Sequence, residues 1–214
     1  MKIHNVEQGS EQWRTLRAGV VTASEFDSLV TPEWKIRTGE GVKSYLYQKL
    51  CERFIGTAAL SDFSNFAVDQ GALMEHEAVP LYEFEQNVEV QKVGFITTDD
   101  GLVGCSPDGL IGDKGGLEVK CPQPKTHLRY LDEGVVPKEY IAQIYLSLFV
   151  TGRDWWDFLS YSRQFPKLLV RVQRDEAIQE IIASALKPFL AKLGEAHARI
   201  SKLKQSQFNL GSRD

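Results

Sequence analysis

A chain of 214 residues is long enough for one domain with a substantial core, and its 43% hydrophobic and 25% charged residues are ordinary for a globular protein. No apolar run is long enough to span a bilayer and the N-terminus carries no apolar signal region, so no membrane association and a cytoplasmic location are expected. The net charge of −4 excludes a uniformly basic nucleic-acid binder, but not one whose basic residues are confined to a channel.

Ser10 is placed to cap a helix whose apolar stripe is Trp13, Leu16 and Val20. Thr22 then starts a second short helix, with Glu25 completing a capping box. A helix start with a serine close by, Ser24, and an arginine upstream, Arg17, has the makings of an anion site; it also reads as a capped helix beside a surface arginine. Residues 31–41 are polar, hold Pro32 and two glycines, and form a loop in which Trp34, Lys35 and Arg37 make a basic and aromatic mix. Helical spacing returns from Val42 to Phe54, with Gly56 as the stop, and again from about Asn65 to Glu85, with Glu75 in the middle.

Val88 to Thr97 reads as a strand, residues 99–101 as a turn, and Leu102 to Ser106 as an antiparallel partner. The next segment carries the chemistry. Gly112-Asp113-Lys114-Gly115-Gly116 is a hairpin turn joining two short strands, and the hairpin brings Asp108 opposite Glu118. Glu118 and Lys120 share one face of the second strand while Val119 points to the other, because strand side chains alternate. Two carboxylates and an ammonium then converge, and carboxylates with water suit Mg2+ or Mn2+. The same residues also read as an Asp-Gly turn and a solvated strand face.

A short helix is expected near His127 to Leu131, and a strong one from Pro137 to Gly152. Gln143 falls on or beside the apolar face of that helix and needs a partner, for which Lys120 or a metal-bound water would serve. Two strands follow, Trp155 to Ser162 and Leu168 to Val172. A long helix capped by Asp175 then runs to about Lys204, with a kink at Pro188 and a fraying polar tail over residues 205–214. The three cysteines, Cys51, Cys105 and Cys121, lack metal-type spacing and are expected to be reduced and mostly buried. With no repeat and no linker, residues 1–214 read as a single domain of α/β class.

In order, the blocks are Trp13-x3-Arg17-x-Gly19-x2-Thr22-Ala23-Ser24, Gly71-x3-Glu75, Cys105-Ser106-Pro107-Asp108-Gly109-Leu110, Leu117-Glu118-Val119-Lys120-Cys121-Pro122 and Ala142-Gln143. This set resembles the phage lambda exonuclease family, the YqaJ-type viral recombinase nucleases of the PD-(D/E)xK class, over most of the chain. The resemblance implies a central mixed sheet flanked by helices. It implies an exonuclease that digests duplex DNA from 5′-phosphorylated ends, 5′ to 3′, releasing mononucleotides and leaving 3′ single strands for recombination. A toroidal homotrimer, a single-strand annealing partner and a bacterial host, with the gene in a phage or prophage, are implied with it.

For the site, the resemblance implies two Mg2+ ions on Asp108 and Glu118, with Glu75 and the Val119 carbonyl completing the shell and Mn2+ able to substitute. Lys120 would position or deprotonate the attacking water and Gln143 would orient it. Arg17, Ser24 and Ser106 match the residues of a 5′-phosphate pocket. Arg37 matches a minor-groove contact, and Val68 or Phe66 a wedge that splits the terminal base pair. One departure is position 147, where related nucleases carry a tyrosine and this chain has Ser147; Tyr145 lies two residues from Gln143, on another side of the helix. The rival readings are an endonuclease or nickase of the same metal class, and a DNA-end-binding protein without turnover.

Overall fold

The computed structural model describes residues 1–58 and 66–210, with the side chains of residues 66–73 and 206–210 left aside. Ser10 does cap the first helix, α1 (Glu11–Arg17), its hydroxyl accepting from the Trp13 N–H at 3.2 Å. The expected stripe does not reach Val20, because the helix stops at Arg17 and Gly19 turns the chain with φ of +69°. A side chain at Gly19 would also strike Arg53, whose Nε donates to the Gly19 carbonyl at 3.1 Å. Residues Val21–Thr22 then form strand β2, with Thr22 at the cap position of the segment that follows.

A 3₁₀ turn over Ala23–Ser28 replaces the second short helix. The expected capping box is not formed; the Thr22 hydroxyl donates instead to Glu25 Oε2 at 2.5 Å. The helices α2 (Glu40–Ile55) and α3 (Phe66–Gln86) follow as expected, α2 ending on Gly56 in the left-handed conformation.

The fold is mixed α/β, as expected, and its described strands form two sheets. The first has the order β1-β4-β5-β2, where β1 is Lys2–His4, β4 Phe95–Thr97 and β5 Val103–Cys105. The second has the order β3-β6-β7-β8-β9, with β3 at Val90–Gln91, β6 at Gly109–Ile111, β7 at Gly115–Lys120, β8 at Trp155–Ser160 and β9 at Leu168–Gln173. Each sheet contains one parallel pair, β2 with β5 and β7 with β8. The segment read as one strand from Val88 to Thr97 is therefore two, β3 in one sheet and β4 in the other. Besides the helical connection from β2 to β3, the chain makes two short crossings between the sheets, at residues 92–94 and again at residues 106–108. Gln8 ties the crossings together, its amide donating to the Val93 carbonyl at 3.1 Å and the Pro107 carbonyl at 2.9 Å.

Helices α4 (Pro124–Glu133) and α5 (Lys138–Thr151) precede β8, and α6 (Glu176–Leu210) closes the described chain. Asp175 Oδ1 caps α6 by accepting from the Ala177 and Ile178 N–H groups at 2.9 and 3.3 Å. The helix continues past Lys204 to Leu210, and residues 211–214 of the expected polar tail lie outside the described residues. The α5 helix packs on β4 and β5 of one sheet and β8 of the other, and Ile144, Leu146 and Leu148 are fully buried there. On the opposite face of the second sheet, Ala78, Val79 and Tyr82 of α3 pack on Leu117, Val119 and Leu159. Both faces of β7 are thus covered, and the face that carries Glu118 lies under α5. Among the described residues no helix is long and apolar enough to cross a membrane.

Candidate active site

Asp108 stands at the second short crossing between the sheets, where β6 begins. The β6–β7 register pairs Gly109 with Leu117 and, one step further, sets Asp108 against Glu118. The Asp108 N–H donates to the Leu117 carbonyl at 3.2 Å, and the Val119 N–H donates to Asp108 Oδ2 at 2.6 Å. Glu118 is only 2% exposed, and its Oε1 accepts from Lys120 Nζ and from Gln143 Nε2, both at 2.5 Å. The partner of Gln143 is therefore Glu118, not Lys120. The Lys120 ammonium lies 5.2 Å from the centre of the Tyr140 ring. Glu75, half-buried on α3, lines a cleft of about 590 Å³ together with Asp108, His76, Gln8 and Lys92.

Electrostatics follow from this crowding. Burial, and then the charges of Glu118 and Glu75, push the Asp108 carboxyl well above the usual carboxylate range, against the opposing pull of Lys120 and the Val119 N–H. Burial works against the Lys120 charge, but the Glu118 and Asp108 carboxylates outweigh it and hold the ammonium above its ordinary range. Cys105 and Cys121 are both pushed up to about 12, chiefly by burial, so neither is a ready thiolate. Cys51 is exposed on α2, contrary to the expectation of mostly buried thiols.

Could these residues hold a hard cation? The donors are all oxygen: the carboxylates of Glu75, Asp108 and Glu118, with the Val119 carbonyl in the strand between. Carboxylate exceeds cation here, and the difficulty of ionising Asp108 is what a divalent ion would relieve. The donor set fits Mg2+ or Mn2+. Among the described residues no three His, Cys, Asp or Glu side chains are drawn close enough together to enclose an ion. One Glu118 oxygen is instead taken by Lys120 and Gln143.

A second constellation lies on the other side of Pro107. Ser106 Oγ accepts from the Trp13 indole N–H at 2.9 Å and from an Arg17 terminal nitrogen at 3.3 Å. The other terminal nitrogen of Arg17 reaches Ser24 Oγ at 3.3 Å and Thr22 Oγ1 at 3.5 Å. The guanidinium lies 4.2 Å from the centre of the Trp13 ring. Burial lowers the Arg17 pKa, opposed mainly by Glu25. Of the three residues expected to hold a terminal phosphate, Arg17 thus meets both Ser24 and Ser106, and the guanidinium is held by hydroxyls.

Other candidates are not gathered here. Arg37 is exposed and uses its Nε on the Asp27 and Val30 carbonyls, at 2.7 and 3.0 Å, so it pins its own loop. The Val68 and Phe66 side chains lie outside the described residues. Tyr145 packs edge-on against Trp34, ring centres 5.1 Å apart, and Ser147 Oγ donates to the Gln143 carbonyl at 2.9 Å. Sequence reasoning missed Tyr140, Trp13 as a hydrogen-bond donor, and Gln8. Tyr140 precedes Gln143 by three residues, a spacing that shares a helix face and could have found it. Gln8 carries no local signal.

The YqaJ-like viral recombinase domain family matches residues 12–154, which hold every motif block that forms the two constellations. An alkaline exonuclease from Laribacter hongkongensis, LHK-Exo, is 32% identical and superposes with a TM-score of 0.79, covering 94% of this chain and 100% of its own. Its complex with dAMP gives the same TM-score at 33% identity and the same coverage. A phage related exonuclease from Haemophilus somnus 129PT shares the fold, with a TM-score of 0.64 at 15% identity over 85% of this chain and 96% of its own. A search of curated proteins gave no match. With more than half its length matched and a third of its residues shared with a solved relative, the chain belongs to the YqaJ-like viral recombinase family.

Proposed function

We propose that the protein is a divalent-metal-dependent exonuclease that digests duplex DNA from 5′-phosphorylated ends, 5′ to 3′, releasing mononucleotides and leaving 3′ single strands for recombination. The observation that carries this reading is the coupling of the two constellations. Ser106, on the Arg17 pocket, and Asp108, beside Glu118, are two residues apart on one crossing between the sheets. Two extended residues span about 7 Å, the scale of one nucleotide step. A terminal phosphate held by Arg17, Ser24 and Ser106 would set the next phosphodiester at the carboxylates.

Asp108, Glu118, Glu75 and the Val119 carbonyl would hold the metal, Mg2+ or Mn2+ and two ions in the full site, supplying Lewis acidity and a more acidic attacking water. Lys120, held as an ammonium, donates to the attacking water or a phosphate oxygen. Gln143, anchored on Glu118, fixes the direction in which that carboxylate faces. Arg17 supplies the charge and forked geometry that phosphate recognition uses. A homotrimeric ring around the duplex and a single-strand annealing protein complete the proposal.

The test is a comparison of linear duplex with 5′-phosphate ends, linear duplex with 5′-hydroxyl ends, and closed circles, all with Mg2+. Mononucleotides from the 5′ strand of the first substrate are expected, with slower digestion of the second and none of the third. The Arg17→Ala variant should lose roughly ten- to a hundredfold in rate on phosphorylated ends, since a charge-assisted contact contributes on the order of 1.5–3 kcal/mol. Its loss on hydroxyl ends should be smaller. Nicked circles would indicate an endonuclease instead, and binding of ends without product a non-catalytic end-binding protein.

A further inference from the structure

The phosphate pocket has an acidic floor. Glu25 adjoins Ser24 in the chain, and its Oε2 accepts from the Thr22 hydroxyl that Arg17 also reaches. Glu52 on α2 stands close by, 3% exposed, with its Oε2 accepting from the Gly19 N–H at 3.0 Å. Both carboxylates act on the Arg17 charge. Left to themselves they would compensate the guanidinium and repel an incoming phosphate.

One ammonium answers both of them. Lys49 is 1% exposed, an extreme degree of burial for a lysine, and its Nζ lies 2.8 Å from Glu25 Oε2 and 2.9 Å from Glu52 Oε2. Gln48, the next residue on α2, braces the same pair, donating to Glu25 Oε1 at 2.8 Å and Glu52 Oε1 at 3.3 Å. Burial disfavours a charged Glu25, yet Lys49 and then the Thr22 hydroxyl outweigh it and hold its carboxyl below the ordinary range. A continuous path results: Lys49 to Glu25, Glu25 to the Thr22 hydroxyl, the hydroxyl to Arg17. Its far end is the group that meets the ligand.

We propose that Lys49 is a positioning residue for the terminal phosphate: it neutralises the Glu25 and Glu52 carboxylates beneath the pocket, so that the Arg17 charge stays available to an anion. The proposal rests on the reading of Arg17, Ser24 and Ser106 as a 5′-phosphate site. Lys49 does not touch the phosphate. It sets the charge and the Thr22 orientation against which Arg17 works. Removing Lys49 makes the floor more negative by one charge, whereas removing the Glu25 charge makes it more positive by one.

The experiment measures binding of metal-free protein to labelled duplex by anisotropy, in chelator and at low salt, with 5′-phosphate and 5′-hydroxyl ends compared. Wild type should prefer the phosphorylated end. Lys49→Met should lose about tenfold of that preference, the scale expected of one uncompensated charge held close to another at reduced dielectric, while affinity for hydroxyl ends changes little. Glu25→Gln, which keeps a hydrogen-bond acceptor for Thr22, should increase the preference severalfold, and Lys49→Met with Glu25→Gln should return it toward wild type. A wild type without preference would overturn the phosphate pocket itself. A preference in wild type that stays unchanged in folded Lys49→Met would overturn the role of Lys49 alone. Should Lys49→Met not fold, Glu25→Gln decides: an unchanged or weakened preference for the phosphate sinks the proposal.

Discussion

Asp108 is half-buried beside Glu118 and Glu75, and loss of solvent first, then the company of those carboxylates, makes its charged form costly. Its pKa is higher in the folded chain than in the unfolded one. The stabilisation this gives is fully present below the ordinary carboxylate pKa and is lost as pH rises through the raised folded value. At neutral pH, without metal, the cost of ionising Asp108 in the folded chain therefore works against the fold. Asp108→Asn keeps an acceptor for the Val119 N–H and removes the charge. The metal-free variant should melt above wild type at neutral pH, by roughly 2–4 °C for each kcal/mol relieved, with the gap closing toward about pH 4. Mg2+ should raise the midpoint of wild type and not of the variant, and the variant should be inactive. A metal-free variant that melts below wild type at neutral pH would contradict the assignment. At this scale much of the site was legible. Strand alternation put Glu118 and Lys120 on one face, and the hairpin turn put Asp108 across from Glu118. The partner of Gln143 was not legible, because whether Lys120 or Glu118 meets the amide depends on how α5 crosses β7.

At the scale of elements, the β6–β7 hairpin is the part on which the site depends, and it is braced from outside. Arg153, buried just after α5, donates through one terminal nitrogen to the Gly112 and Gly115 carbonyls at 2.7 and 2.8 Å. Gly115 and Gly116 open β7 where the rings of Trp155 and Trp156 lie across it; a Cβ on Gly116 would come within 2.2 Å of the Trp156 ring. Trp156 is fully buried. Gly116→Ala should therefore destabilise the protein by about 1–3 kcal/mol through overpacking, and displace Glu118 two residues on. Thermal melting and activity should fall together; a midpoint within a degree of wild type would show that β7 and β8 have slack that the structure does not. The sequence marked this hairpin and the longer helices well, since each has a long period or a turn signature. It did not mark β1 and β2, whose two or three residues are too few for periodicity and are strands only by pairing with β4 and β5. Nor did it mark the break between β3 and β4. Gly94 lies there, packed so closely that a Cβ would meet the Val6 carbonyl. That contact spans most of a hundred residues and leaves no local trace.

At the scale of the whole molecule the question is how a protein with a net charge of −4 holds a polyanion long enough to digest it. Grip through many basic contacts would demand a broad positive surface and would weaken steeply with salt, as counterions return to the phosphates. Enclosure by a ring needs far less positive charge, because the duplex is retained by topology once it is threaded. In the proposed ring an acidic exterior would disfavour side-on binding, while basic residues facing the channel would guide the one duplex inside. The proposed homotrimer makes two linked claims that can be read separately. Light scattering should give three times the mass of the chain at working concentration. Raising salt should slow the start of digestion sharply, while the number of nucleotides released per engaged end, measured against a trap of unlabelled duplex, should change much less. A monomeric mass would remove the ring. A trimer whose run length collapses with salt as steeply as its initiation would keep the assembly, but show that contacts rather than enclosure hold the DNA.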